Sequence, residues 1–295
     1  MSDTIFVTGA SGHLGQAIIS HLLDSQSVAP SRIVAGSRNP DKLGALAAKG
    51  VRVVKADFDD PAGLEKAFAG AGTVLIISTD ALDGAGTRLR QHKAAVAAAA
   101  KAGVKRLAYT SLPKAETSKI SFAPDHLGTE EAIKATGLPY LFFRDSWYQE
   151  NLFMSLPQAL KSGQWFTSAA DGKTSYVARD DIAAAIAGAL ANPPAGSATY
   201  TLTGEDALTR DEIAALASGI AGKPIQVVNL TDEQLAGGMK AAGVPEAFIP
   251  TFVSFETATR AGDLATVTKD TATLSGRKPK SLRDFLTENK AALLA

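Results

Sequence analysis

Gly9, Gly12 and Gly15 recur at three-residue spacing in the run Val7-Thr-Gly-Ala-Ser-Gly-His-Leu-Gly15. The β-branched segment Ile5–Thr8 precedes them, and helical apolar spacing over Leu14–Leu23 follows. Strand, glycine turn and helix in that order make an anion site, because the free N–H groups and positive dipole end of the helix face the turn. Gly9 permits the tight turn, Gly12 lets the backbone approach a diphosphate, and Gly15 lets the helix pack close to the strand. The Ser11 and His13 side chains can add hydrogen bonds, and Leu14 completes the loop. The position of the run, at the start of a βαβ unit, makes a dinucleotide the expected ligand rather than a turn that is glycine-rich for geometry alone.

The second strand ends in Ala35-Gly-Ser-Arg38. A carboxylate there would accept from both ribose hydroxyls of NAD, whereas an arginine pairs with the 2′-phosphate of NADP. The planar guanidinium fork suits phosphate, and Ser37 can contribute a hydroxyl. No acid occupies 35–38, so the expected cofactor is NADP(H). Asp57 and Phe58 follow the third strand, where the adenine lies in this fold. Asp57 either accepts from the adenine amino group or caps the next helix, and Phe58 can pack on the ring. Ile77, Ser78 and Thr79 follow the fourth strand and should run past the nicotinamide ribose.

The elements that must position these residues alternate regularly. Strands are expected at Ile5–Thr8, Arg32–Ala35, Val51–Lys55, Thr73–Ile77, Arg106–Thr110 and Tyr140–Phe143. Helices are expected between them, among them Thr87–Ala102 before Gly103 and Asp125–Thr136 before Gly137. This alternation predicts the α/β class: a Rossmann-type doubly wound parallel sheet. After about Asn151 the pattern loosens. Strand–helix pieces are expected at Ala198–Leu202 with Arg210–Ile220 and at Ile225–Leu230 with Asp232–Ala242, and a last helix over Ser281–Ala291. Residues 1–150 are expected to form the cofactor-binding domain. Residues 151–295 are expected to form a smaller α/β lobe, interwoven with the first and covering the strand ends.

Composition narrows the functions. The 295 residues carry 30 basic and 30 acidic side chains, a formal net charge of zero. That balance gives no electrostatic footprint for nucleic acid or an anionic membrane. There is no cysteine, which removes disulfides and thiolate chemistry. The histidines, His13, His21, His92 and His126, are too scattered to suggest a zinc site. The Ala-rich stretch 94–100 lies between Lys93 and Lys101 and reads as a buried helix, not a membrane span. The chain enters its first strand without a basic and apolar leader, so it is expected in the cytoplasm.

Several further segments carry a family resemblance. They are Ser37-Arg-Asn-Pro40, Lys55-Ala-Asp57, Gln91-His92, Tyr109-Thr-Ser111, Asp125-His126, Trp147-Tyr-Gln-Glu-Asn151 and Val177-Ala-Arg-Asp-Asp-Ile182. With the glycine loop, they resemble the NmrA-like atypical short-chain dehydrogenase/reductases, and within them bacterial NAD(P)H:quinone oxidoreductases and triphenylmethane-dye reductases. The resemblance implies NADPH as hydride donor, a flat conjugated small-molecule acceptor in the cleft between the lobes, and a monomer or homodimer. It extends the cofactor contacts to the strand end Tyr109, Thr110 and Ser111. It also leaves a second reading open, since the family includes proteins that sense NADP(H) without turnover and bind a protein partner. A carbonyl or imine reductase is a third.

The Tyr-x-x-x-Lys pair of typical short-chain reductases is absent, and Glu130 stands where many relatives place lysine. A quinone or cationic dye accepts hydride readily, so alignment of donor and acceptor carries most of the work. The proton comes from solvent, or from His126 or Tyr148, the two candidate donors. His126 can equally hydrogen-bond locally at its helix start, and His92 is expected to pack. Phe143, Trp147, Tyr148 and Phe153 cluster after the sixth strand as an aromatic wall for a flat acceptor or as the junction between lobes. Asp145 stands where the resemblance leads one to expect asparagine, and a carboxylate there would favour a cationic acceptor.

Overall fold

The computed structural model describes residues 4–83 and 86–294. Its main sheet contains β1 (Ile5–Val7), β2 (Ile33–Ser37), β3 (Arg52–Lys55), β4 (Thr73–Ile76), β5 (Arg106–Ser111) and β6 (Tyr140–Asp145). After β7 (Gln164–Thr167), which lies elsewhere, β8 (Ala198–Leu202) completes it. The spatial order is β3-β2-β1-β4-β5-β6-β8, with every pairing parallel. The chain winds outward from β1 to β3, then crosses back to β4 on the other side of β1. That reversal opens a crevice beyond the carboxyl ends of β1 and β4, where α/β folds bind ligands.

Helices cover both faces, which is why the central strands read as continuous apolar runs. On one face α1 (His13–Asp24) buries Leu14, Ile18, Ile19 and Leu22 in a single core, with the short α2 (Gly44–Ala48) at its edge. On the other, α3 (Pro61–Phe68), α4 (Thr87–Lys101) and α5 (Ala123–Ala135) supply Leu64, Phe68, Val96, Ala99 and Ile133. After α6 (Leu156–Ser162), α7 (Arg179–Ala191) returns to the first face and packs against α1. Its alanines fit this place, since every residue from Asp181 to Leu190 is buried.

The remaining elements make the smaller lobe and its link to the sheet. They are α8 (Arg210–Ala221), β9 (Gln226–Asn229), α9 (Asp232–Ala241), α10 (Ile249–Arg260), α11 (Asp270–Ser275), α12 (Leu282–Glu288) and α13 (Lys290–Leu294). β7 pairs in parallel with β9 as a separate two-stranded sheet. Leu152, Leu156, Trp165, Ile213, Phe285 and Leu286 close a third core around it. Ser281 accepts from Asp284 N–H at 3.1 Å and starts α12 as expected, but the single tail helix breaks at Asn289. β8 pairs with β6 of the large sheet, and α7 packs against α1 and α11. No described helix is long and apolar enough to cross a membrane.

The two halves are tied by Trp147–Asn151. Tyr148 bridges Val177, Trp147 O accepts from Val177 N–H at 3.0 Å, and Gln149 N–H donates to Val177 O at 2.9 Å. Both Glu150 carboxylate oxygens accept from Arg179 N–H at 3.2 Å at the start of α7. These contacts join the Trp147–Asn151 segment to the Val177–Ile182 segment.

Candidate active site

The glycine loop joins β1 to α1. Gly9 has φ +60°, a conformation costly to side-chain-bearing residues. A Cβ on Gly15 would lie 2.4 Å from Gly9 O and 2.9 Å from Ala10 Cα, so the helix can approach the strand only without one. Gly12 occupies the N-cap and leaves it without a side-chain cap, and the first turn holds no acid. The end of α1 therefore presents open N–H donors and an uncompensated positive dipole.

A cavity of about 270 Å³ lies against this end. Gly9, Ser11 and Gly12 line it from the loop, Ser37 and Arg38 from the end of β2, and Asp57 and Phe58 from beyond β3. Ile77, Ser78 and Thr79 line it from beyond β4. Ser37 Oγ lies 3.0 Å from Ser11 Oγ and accepts from Asn39 N–H at 3.1 Å, so it couples the loop to the strand end that carries Arg38. Arg38 is exposed and takes part in no ion pair among the described residues. Asp57 accepts from Asp59 N–H at 3.1 Å, while Asp60 caps α3, so the capping alternative for Asp57 does not hold.

Two buried atoms in the wall of this cavity lack partners, Thr79 Oγ1 and Gln91 Oε1. Buried polar atoms are nearly always hydrogen-bonded, so both call for a polar ligand. The residues fit a dinucleotide: an open helix end, a loop with glycine at its close approaches, an exposed guanidinium without an ion pair among the described residues, and orphan polar atoms in one cavity. Gln91, Ala56, Asp80 and Ala81 also line it and were not singled out as contacts from the sequence. Gln91 and His92 stand next to each other in a segment of the family resemblance, the one signal that pointed there.

Other loop and strand-end residues act behind the wall. Leu14 belongs to the core and Gly15 to the helix–strand contact, while His13 is exposed at the first helical position. Thr110 Oγ1 accepts from Ser78 N–H at 2.9 Å. Ser111 Oγ donates to Glu130 Oε1 at 2.7 Å. Glu130 is fully buried and pairs with Arg144 at 2.7 Å, so its carboxylate locks α5 onto β5 and β6. Thr110 thus holds the loop after β4, Ser111 and Tyr109 bond to side chains of α4 and α5, and none of the three lines the cavity.

The same holds for the histidines. Thr79 N–H can only donate, so His92 Nε2, 2.9 Å away, accepts, and the ring proton sits on Nδ1, 3.0 Å from Thr129 Oγ1. An arginine can only donate, so His126 Nε2 accepts from Arg88 Nη2 at 2.9 Å, and His126 Nδ1–H donates to Tyr109 OH at 2.8 Å. Thr129 Oγ1 ends the chain by donating to Asp125 O at 2.6 Å. Burial, followed by the Arg88 charge, holds His92 down to about 3 and His126 well below the usual imidazole range. His126 is therefore neutral, buried and engaged at both nitrogens. This corrects its reading as proton donor, and its local hydrogen-bonding role stands.

The expected aromatic wall is rearranged. Phe143 is fully buried in the sheet core and stacks on Tyr200, and Phe153 packs on Phe285 in the small lobe. Tyr148 turns to the lobe junction, with Arg179 5.1 Å above its ring, and burial raises its phenol far above the ordinary range. Only Trp147 of the four lines a second cavity, of about 310 Å³, with Trp165, Tyr176, Phe252 and Phe255. Arg210 and Glu256, paired at 2.8 Å, add its charged groups. Phe252 and Phe255, three residues apart on one face of α10, were not singled out from the sequence. Asp145 ends β6 with Oδ1 buried and unpartnered, and burial pushes its carboxyl well above the usual carboxylate range. Asp145 lines neither cavity and burial opposes its negative charge, so the geometry does not bring a carboxylate to a cationic acceptor as expected.

Residues 1–286 match the NmrA-like family. The chain belongs to the NmrA-like family. It is 35% identical to quinone oxidoreductase 2 of Escherichia coli (strain K12) over 280 residues, which covers 95% of this chain and 96% of that protein. Among solved structures, this NmrA-like chain superposes on the E. coli NADPH-dependent quinone oxidoreductase complexed with NADPH with a TM-score of 0.92, covering 97% and 99% of the two chains. It also superposes on the Citrobacter sp. triphenylmethane reductase complexed with NADP(H), with a TM-score of 0.89, 35% identity and the same coverage.

Proposed function

We propose that the chain is an NADPH-dependent reductase that transfers hydride to quinones or related conjugated electrophiles, dyes included. The observation that carries the reading is Arg38: an exposed guanidinium beside the glycine loop, in no ion pair among the described residues, with no carboxylate among the neighbouring residues of the strand end. It suits a 2′-phosphate, and the open end of α1 suits the diphosphate. The relatives named above support the same cofactor and the same class of acceptor.

When bound, NADPH supplies the hydride from C4 of its nicotinamide. The chain's own part is to bind, align and shield. The His92–Thr79 and Thr110–Ser78 hydrogen bonds hold the β4 loop in place, a proximity effect rather than acid–base chemistry. With His126 neutral and doubly engaged, the quinol proton comes from solvent. NADPH oxidation followed at steady state with a panel of quinones, cationic dyes and simple ketones tests the reading. Turnover of quinones or dyes is expected. Tight NADP binding with no turnover of any acceptor would overturn it in favour of a sensor, and turnover of ketones alone would place the chain among carbonyl reductases.

A further inference from the structure

Arg88 lies in the first turn of α4 and is only 7% exposed. Among the described residues it has no carboxylate within ion-pair distance, and its Nε–H is buried without a partner. Its company is a neutral imidazole, His126, at 2.9 Å and the ring of Phe122 at 4.9 Å. An unpaired buried charge is costly; the Asp125 and Asp80 carboxylates act on Arg88 from a distance, but neither forms an ion pair with it among the described residues. Burial pulls the guanidinium pKa down from its ordinary value, yet arginine stays charged in proteins.

Its location is informative. Gln91, one turn further along α4, lines the dinucleotide cavity, as does Asp80, whose charge acts on Arg88. Tyr148 at the lobe junction is also within range of the Arg88 charge. Arg88 lines neither cavity, but it lies one turn before the cavity-lining Gln91 on α4, with its charge acting on Asp80 and on Tyr148 at the lobe junction.

We propose that Arg88 is the residue that stabilises negative charge developing on the oxygen of a quinone acceptor, and that it makes the site selective for neutral acceptors that become anions. The inference rests on the functional reading above. In the step, the C–H bonding pair of the donor leaves as hydride and forms a new bond to the quinone. The quinone is reduced to the hydroquinone monoanion and the donor is oxidised. Solvent then supplies one proton to complete the hydroquinone. A cationic dye gains the same hydride and becomes neutral, so a fixed positive charge offers its product nothing and repels the dye itself. Removing one preorganised donor from a developing oxyanion lowers turnover by about a hundredfold or more.

The test compares wild type, Arg88→Met and Arg88→Lys, each checked by circular dichroism and thermal melting. The first readout is the ratio of kcat/KM for a neutral quinone to that for a cationic triarylmethane dye. The second needs no turnover: the affinity of the NADP⁺ complex for the anionic 2-hydroxy-1,4-naphthoquinone, followed by calorimetry. Arg88→Met should lower the ratio at least thirtyfold and weaken anion binding by a similar factor, with Arg88→Lys between it and wild type. An unchanged ratio with unchanged anion binding overturns the proposal, as does a loss confined to NADP⁺ affinity. If Arg88→Met does not fold, Arg88→Lys decides: a lowered ratio supports the proposal and an unchanged one overturns it. Wild type inert to every quinone defeats the functional reading instead, and anion binding then stands as the separate result on Arg88.

Discussion

Moving from pH 7 to pH 5 should destabilise the protein by about 2 kcal/mol through His92, with His126 acting in the same direction. Both rings are buried and neutral in the folded state, and both have pKa values depressed below that of a free imidazole. A depressed folded pKa contributes stability that is present above the unfolded pKa, about 6.5, and is lost as pH falls toward the folded one. For His92, held to about 3, the unfolded chain gains its proton across this window while the folded ring does not. The difference in proton binding is worth about 2 kcal/mol between pH 7 and pH 5. His126, whose pKa burial also holds down, adds to the loss in the same direction. The His92 part alone is a sizeable share of a typical stability of about 5–15 kcal/mol. Most carboxylates titrate below this window. Urea unfolding at pH 7.0, 6.0 and 5.0 measures the effect. In His92→Gln, whose amide oxygen can still accept from Thr79 N–H, the loss should be smaller by about 2 kcal/mol. A variant with the same pH dependence as wild type would refute the assignment of His92 as a buried neutral acceptor.

Two other changes follow from the geometry. Gly15→Ala places a Cβ against Gly9 O and Ala10 Cα, both backbone and unable to swing aside. It should cost about 1–3 kcal/mol in thermal or urea unfolding and weaken NADPH binding through the displaced loop, and unchanged binding would show that the loop contributes no contact. Asp145→Asn removes a carboxyl whose folded pKa is raised, so its native environment opposes ionisation increasingly as pH rises from the unfolded value toward the folded one. The variant should gain stability relative to wild type as pH is raised from 5 to 8 in urea titrations, and leave the quinone-to-dye turnover ratio unchanged. A shifted ratio would restore Asp145 as a charged determinant of the acceptor.

The parallel sheet and the glycine loop were legible because their signals are local. Apolar runs such as Val74–Ile76 and the spacing of Gly9, Gly12 and Gly15 reflect neighbours in sequence. The roles of His126, Glu130 and Tyr109 were not, because each depends on a partner from another element. His126 meets Arg88 from α4, and Glu130 meets Arg144 from β6. A histidine at a helix start looks the same in sequence whether it faces a ligand or an arginine. The small lobe was the least legible. The strand Gln164–Thr167 is short and pairs with Gln226–Asn229, more than fifty residues away. The aromatic wall draws Trp147, Trp165, Tyr176 and Phe255 from separate elements, so no single window of sequence contains it.

The cofactor preference bears most directly on the whole account, since the acceptor chemistry presupposes it. Dissociation constants for NADPH and NADH, measured by fluorescence titration on wild type and Arg38→Ala, test it. Wild type should prefer NADPH, and the substitution should erase most of that preference by weakening NADPH tenfold or more, the ~1.5–3 kcal/mol of a charge-assisted contact, with NADH affinity nearly unchanged. An intact preference in Arg38→Ala would contradict the account.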